Sequence, residues 1–137
     1  MIDKIGGITF LVVFIIHFVG YAFYAFRCLA GTKAFVDQYG MGDGAAIMTR
    51  FFGSFIVGSV LMALYITLVR PEGLTGTWAF FNLVFIQNLS IFIVNTYSIK
   101  IDKTGVKNDS NEGVIAPLVF TILSAILCYV LADKIYY

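Results

Sequence analysis

Four long runs of apolar residues dominate the chain, at 8–26, 45–69, 78–99 and 114–132, and stretches rich in Gly, Asp, Asn and Lys separate them. The first holds His17 as its one group that titrates near neutral pH, the second is broken only by Arg50, and the third and fourth carry no charge. Each run is close to the ~20 residues that a helix rising 1.5 Å per residue needs to cross a ~30 Å hydrocarbon core. Strands of a membrane barrel are about 10 residues long and alternate apolar with polar. The stretch from Phe10 to Ile16 is apolar on every face. A continuous lipid-facing run of that kind must satisfy its own backbone amides, which only a helix does. The pattern therefore predicts an all-α fold, an integral membrane four-helix antiparallel bundle, as a single domain over 1–137.

The punctuation between the runs agrees. Gly40, Gly42 and Gly44 precede the second run, with Asp43 placed to cap it. Pro71 follows Arg70 and should end the second helix there. Pro117 falls near the first turn of the fourth run, where a missing N–H costs little. Within the 28–44 connection, 32–40 reads as two turns of interfacial helix, capped by Thr32 and stopped by Gly40, with Phe35, Val36 and Tyr39 toward the membrane. The 100–113 connection is polar and aperiodic. Short connections place sequential helices side by side. The first run is longer than the 7–15 residues of a signal-peptide core and reads as a retained helix. Asn108-Asp-Ser fits the glycosylation triplet, a pattern that arises often by chance.

Composition excludes more than it adds. The chain of 137 residues is 60% hydrophobic and 12% charged, far from a soluble domain. A formal charge of +1 leaves no basic surface for a nucleic-acid backbone. One His and two Cys are too few for an all-protein His/Cys zinc site, and without a second histidine a six-coordinate haem is not expected; no cofactor is implied. Cys28 and Cys128 sit at depths about 21 Å apart along the bundle, beyond the reach of a disulfide. Counting Lys and Arg, five on the side of the two longer connections against three on the side of the termini favours the longer connections in the cytoplasm.

Polar groups inside the runs carry the candidate chemistry, because an unpaired one is costly in lipid. His17, Tyr21 and Tyr24 share one face of the first helix. Arg50 and Ser54 share one on the second, with Gly58 a turn further on, and Asn88 and Asn95 are nearly in line on the third. Measured from the ends facing the longer connections, Arg50, Tyr21, Asn95 and Thr121 fall ~6–10 Å deep; His17, Ser54, Asn88 and Ser124 fall ~13–17 Å deep. Two polar rings result, an upper one around a cation and a lower one around a histidine. As a binding site they would use Arg50, Tyr21, Asn95, His17, Asn88 and Ser54, with Arg50 offering five donors to an anionic or carbonyl-bearing ligand. Each also has a plainer reading: a snorkelling Arg50, a neutral core His17, interhelical Asn and Ser bonds, and Ser54-Phe-Ile-Val-Gly58 as a close-approach pattern. No Asp or Glu lies inside a run, which argues against an ion-coupled carrier of the carboxylate type and against a Ser-His-acid enzyme.

Phe35-Val-Asp-Gln-Tyr-Gly-Met followed by Arg50-Phe-Phe-Gly-Ser-Phe-Ile-Val-Gly resembles the short amphipathic segment and Arg-x-x-Gly-x(4)-Gly pattern of the DoxX-like superfamily of small four-helix bacterial membrane proteins. Arg50, Gly53 and Gly58 are the matching positions, and the likeness covers about a quarter of the chain. It implies a bacterial inner membrane, termini in the cytoplasm against the charge count, and for some members an attachment to respiratory or redox complexes. The long Lys/Asn/Asp connection and the aromatic third helix depart from the pattern. Two function classes follow. One is an accessory or structural subunit, or a homo-oligomer, that meets partner protein through aromatic helix faces, since 14 Phe and 8 Tyr exceed what so small a bundle can bury. The other is a bundle that binds or conducts a small solute or lipid around Arg50 and His17.

Overall fold

The computed structural model describes residues 5, 7–108 and 110–137; Lys4, counted above for charge, and Asp109 of the glycosylation triplet lie outside the described residues. Every regular element among the described residues is helical: α1 (Ile8–Leu29), α2 (Thr32–Gln38), α3 (Asp43–Val69), α4 (Trp78–Asp102), α5 (Glu112–Val130) and a last turn, α6 (Ala132–Ile135). Helices α1, α3, α4 and α5 are each long and apolar enough to cross a membrane. The molecule is thus an all-α, multi-pass membrane protein of four spans.

The helices end a few residues from where hydropathy alone would end them, and the shifts bring charge into the bundle. α1 continues through Arg27 and Cys28, and α5 begins at Glu112. Thr32 does not cap α2, whose first turn has no side-chain cap; its hydroxyl donates back to the carbonyls of Cys28 at 2.6 Å and Leu29 at 3.1 Å, closing the end of α1. Asp43 likewise opens a tight turn at the head of α3 without a side-chain cap. Gly40 does end the α2 segment, in the left-handed region at φ +62. Val36 and Tyr39 are buried against protein rather than turned toward lipid. The backbone N–H groups of Lys107 and Asn108 donate to Tyr39 O at 3.1 and 3.2 Å, and Asn108 Nδ2 donates to Gln38 O at 3.1 Å. α2 and the 103–111 connection are thereby stitched into one lid over the end of the bundle.

α1 packs along α3, α4 packs along α5, and α1 also meets α5. Close approach is built on Gly53, where a Cβ would come 2.7 Å from Cys28 Cβ, and on Gly20, where it would come 2.7 Å from the Phe120 ring. Ser54 and Gly58, the pair expected to permit close packing, are exposed on the outer face of α3. Across the diagonal, α1 reaches α4 through rings: Phe14 to Phe81 at 6.4 Å, and Phe18 stacked on Phe80 at 5.9 Å. With Ile66, Leu74, Leu127 and Leu131 these residues place the apolar core in the half of the bundle nearer the termini.

Helices α3 and α4, although joined by the shortest connection between two spans, scarcely touch, which corrects the expectation that sequential helices pack side by side. In the half nearer the lid, the space between them is a cleft. Both cysteines are free thiols, Cys28 buried and Cys128 half-buried.

Candidate functional site

The lower polar ring forms from His17, Asn88 and Ser124, with Tyr21 in the place expected for Ser54. Asn88 lies at its centre: Tyr21 donates its hydroxyl to Asn88 Oδ1 at 2.5 Å, and Asn88 Nδ2 lies 3.1 Å from His17 Nε2, 3.1 Å from Ser124 Oγ and 3.3 Å from Phe120 O. Tyr21 reaches this layer because a helical side chain leans toward its own N-terminus, here down into the bundle. The bond from Tyr21 orients the Asn88 amide, so Nδ2 faces His17 as a donor. The proton of a neutral His17 then sits on Nδ1, which is buried without a partner among the described residues.

The upper ring does not form around Arg50. Arg50 is exposed, and so is Ser54, whose hydroxyl bonds back to Phe51 O at 2.7 Å. The cleft is lined from α3 by Met48, Thr49, Phe52, Phe55, Ile56 and Ser59. At about 100° per residue Arg50 points about 160° away from the centre of that face. Depth arithmetic placed Arg50 at the right level and carried no information about azimuth. Arg50 is therefore not a pocket residue.

Arg27 takes its place. The Arg27 guanidinium pairs with Glu112 and donates to Gln38 Oε1, while Gln38 Nε2 donates to Glu112 Oε2 at 2.7 Å and Tyr24 donates to Glu112 Oε1 at 2.7 Å. The rings of Tyr24 and Phe35 lie 5.3 and 5.2 Å from the guanidinium carbon. The network ties α1, the lid and α5 together. Sequence reasoning missed Arg27 and Glu112 because both lay just outside the apolar runs. The available signal was the stripe His17, Tyr21, Tyr24, which continues on the same face to Arg27.

Asn95 serves the fold as well as the site. Pro117 is the sixth residue of α5, beyond the first turn, and its absent N–H leaves the carbonyl of Gly113 without its helical donor. Asn95 Nδ2 supplies that bond at 3.0 Å.

Between the two polar layers lies a chamber of about 70 Å³, room for more than one water, lined by Tyr21, Tyr24, Tyr39, Asn88, Asn95 and Glu112 and walled by Phe52, Ile56, Ile91, Pro117 and Phe120. Tyr39, in the lid, is held protonated above the ordinary tyrosine range by burial and by the Glu112 carboxylate. Sharing Asn95, Phe52 and Ile91 with the chamber, the α3/α4 cleft has a volume of about 510 Å³ near the lid and continues as a further 290 Å³ between Phe55 and Ser59 on one side and Ile86 and Ser90 on the other. Its walls are mainly apolar, with Tyr39, Thr49, Ser90, Asn95 and Ser98 as the polar exceptions near the lid and Tyr21, Ser59 and Gln87 further along. From Ser98 to Ile86 it runs about 18 Å along α4, roughly one leaflet of a bilayer.

Fold and site together define a multi-pass helical membrane protein with a small, mostly apolar chamber, carrying a few polar groups, at the end of a membrane-facing cleft. Compared with protein families, curated proteins and solved structures, the chain matches none.

Proposed function

We propose that the protein binds a lipid-derived small molecule taken from within the bilayer, its tail in the α3/α4 cleft and its polar head in the chamber. The supporting observation is the continuity of cleft and chamber: an apolar groove open toward lipid leads to a small, mostly apolar space whose lining also includes three phenols, two amides and a compensated carboxylate. Pockets for small molecules are of this size and make-up, mostly apolar with a few placed polar groups. The lid, stitched across the aqueous end, supports entry from the membrane side.

The test is lipid extraction and mass spectrometry on protein purified in mild detergent. Wild type should retain a near-stoichiometric lipid through washes that strip annular lipid. Ile91→Trp, which fills the junction of cleft and chamber, should lose it. No retained lipid in the wild type would contradict the reading.

An accessory or oligomeric role is the second reading, supported by exposed Phe51 beside Arg50 and Gly58 on the outer face of α3. It draws less support from α4, where Phe81 is buried and Trp78 stacks on Tyr136 within the chain. Gly53, at the α1/α3 contact, supports membership of the DoxX-like superfamily, and with it a bacterial inner membrane.

A further inference from the structure

Resting on the lipid-binding reading above, the chemistry of the chamber narrows the class of ligand. Among the described residues that line it, the one carboxylate, Glu112, is already met by Arg27, Gln38 and Tyr24, so the charges of this pair cancel in place. An anionic head would meet Glu112 with its counter-cation engaged, and a cationic head would meet Arg27 in the same way. What remains are neutral hydrogen-bonding groups: Asn95, which uses Nδ2 on Gly113 O and keeps Oδ1 as an acceptor, and the Tyr39 phenol, whose oxygen accepts from Ser110 and whose O–H is left to donate. A hydroxyl-bearing head can donate to the amide oxygen and accept from the phenol without disturbing the ion pair.

The cleft sets the number of chains. The cleft is a single groove between α3 and α4, about 18 Å long, the depth that one acyl chain occupies in a leaflet. We infer that the ligand is a neutral single-chain lipid with a small hydroxyl or ester head, of the monoacylglycerol class.

The experiment is a native mass spectrometry titration of the detergent-solubilised full chain at pH 9 with monoolein and with oleate, which share a tail and differ in head charge. Monoolein should bind roughly tenfold tighter or more than oleate, the factor that 1.4 kcal/mol of charge mismatch produces. Glu112→Gln keeps the size of the side chain and releases Arg27, so it should narrow or reverse that ratio. Arg27→Gln leaves Glu112 uncompensated and should widen it, which preserves the test if the first variant fails to fold. Oleate binding as tightly as monoolein in the wild type would overturn the neutral-head inference and leave lipid binding standing. Binding of neither lipid, with no lipid retained on purification, would overturn both.

Discussion

Pro117 strands a carbonyl inside a membrane helix, and Asn95 from the neighbouring helix bonds it. Asn95→Ala should therefore destabilise the protein by about 1–3 kcal/mol, the cost of a buried acceptor left unmade. Pro117→Ala restores the helical donor, so the double variant should recover most of the loss in reversible unfolding from mixed micelles. Simple additivity of the two changes would contradict the pairing. Asn88 and His17 allow a second comparison. Asn88→Ala strands the Tyr21 hydroxyl and should cost about 1–3 kcal/mol. His17→Phe leaves Asn88 Nδ2 with Ser124 and Phe120 O as acceptors and removes a buried Nδ1 without a partner, so it should cost less. A larger loss for His17→Phe in the same unfolding assay would give His17 a role beyond packing. His17, Asn88 and Asn95 were legible in the sequence because a polar residue within an apolar run stands out. Arg50 misled because depth along a helix carries no direction around it.

Helix limits were legible to within a few residues, since a span is set by hydrophobic length. Which helices touch was not, because length and polarity do not name a neighbour. The α1/α3 contact depends on Gly53, and the outer face of α3 leaves Gly58 with nothing within 4 Å of a Cβ. Gly53→Val should cost about 1–3 kcal/mol through overpacking against Cys28. Gly58→Ala should be neutral or stabilising by about 0.5–1 kcal/mol through helix propensity. The reverse order in thermal unfolding would mean that α3 packs through its Ser54–Gly58 face instead. The lid shows the same limit of sequence patterning. The 32–40 segment was recognisable as a short helix, but its apolar residues turn inward onto the bundle, because Tyr39 O and Asn108 bind it to a connection about 70 residues further along the chain.

At the scale of the whole molecule, the apolar core fills the half of the bundle near the termini, and polar networks hold the other half together at its edges. Large rings between α1 and α4 close the lower half, while nearer the lid α3 and α4 stand apart. That asymmetry creates both chamber and cleft, and it was not legible in the sequence, where each run reads as a span and none names its neighbour. Lipid binding requires the α3/α4 cleft to be open in the bilayer and filled by an acyl chain. An experimental structure in lipid nanodiscs at a resolution that shows acyl chains tests this directly. The predicted result is continuous, unbranched density running about 18 Å from the level of Ser98 to that of Ile86, with its head beside Asn95 and Tyr39. Helices α3 and α4 packed side by side, or a helix from a second chain between them, would contradict it.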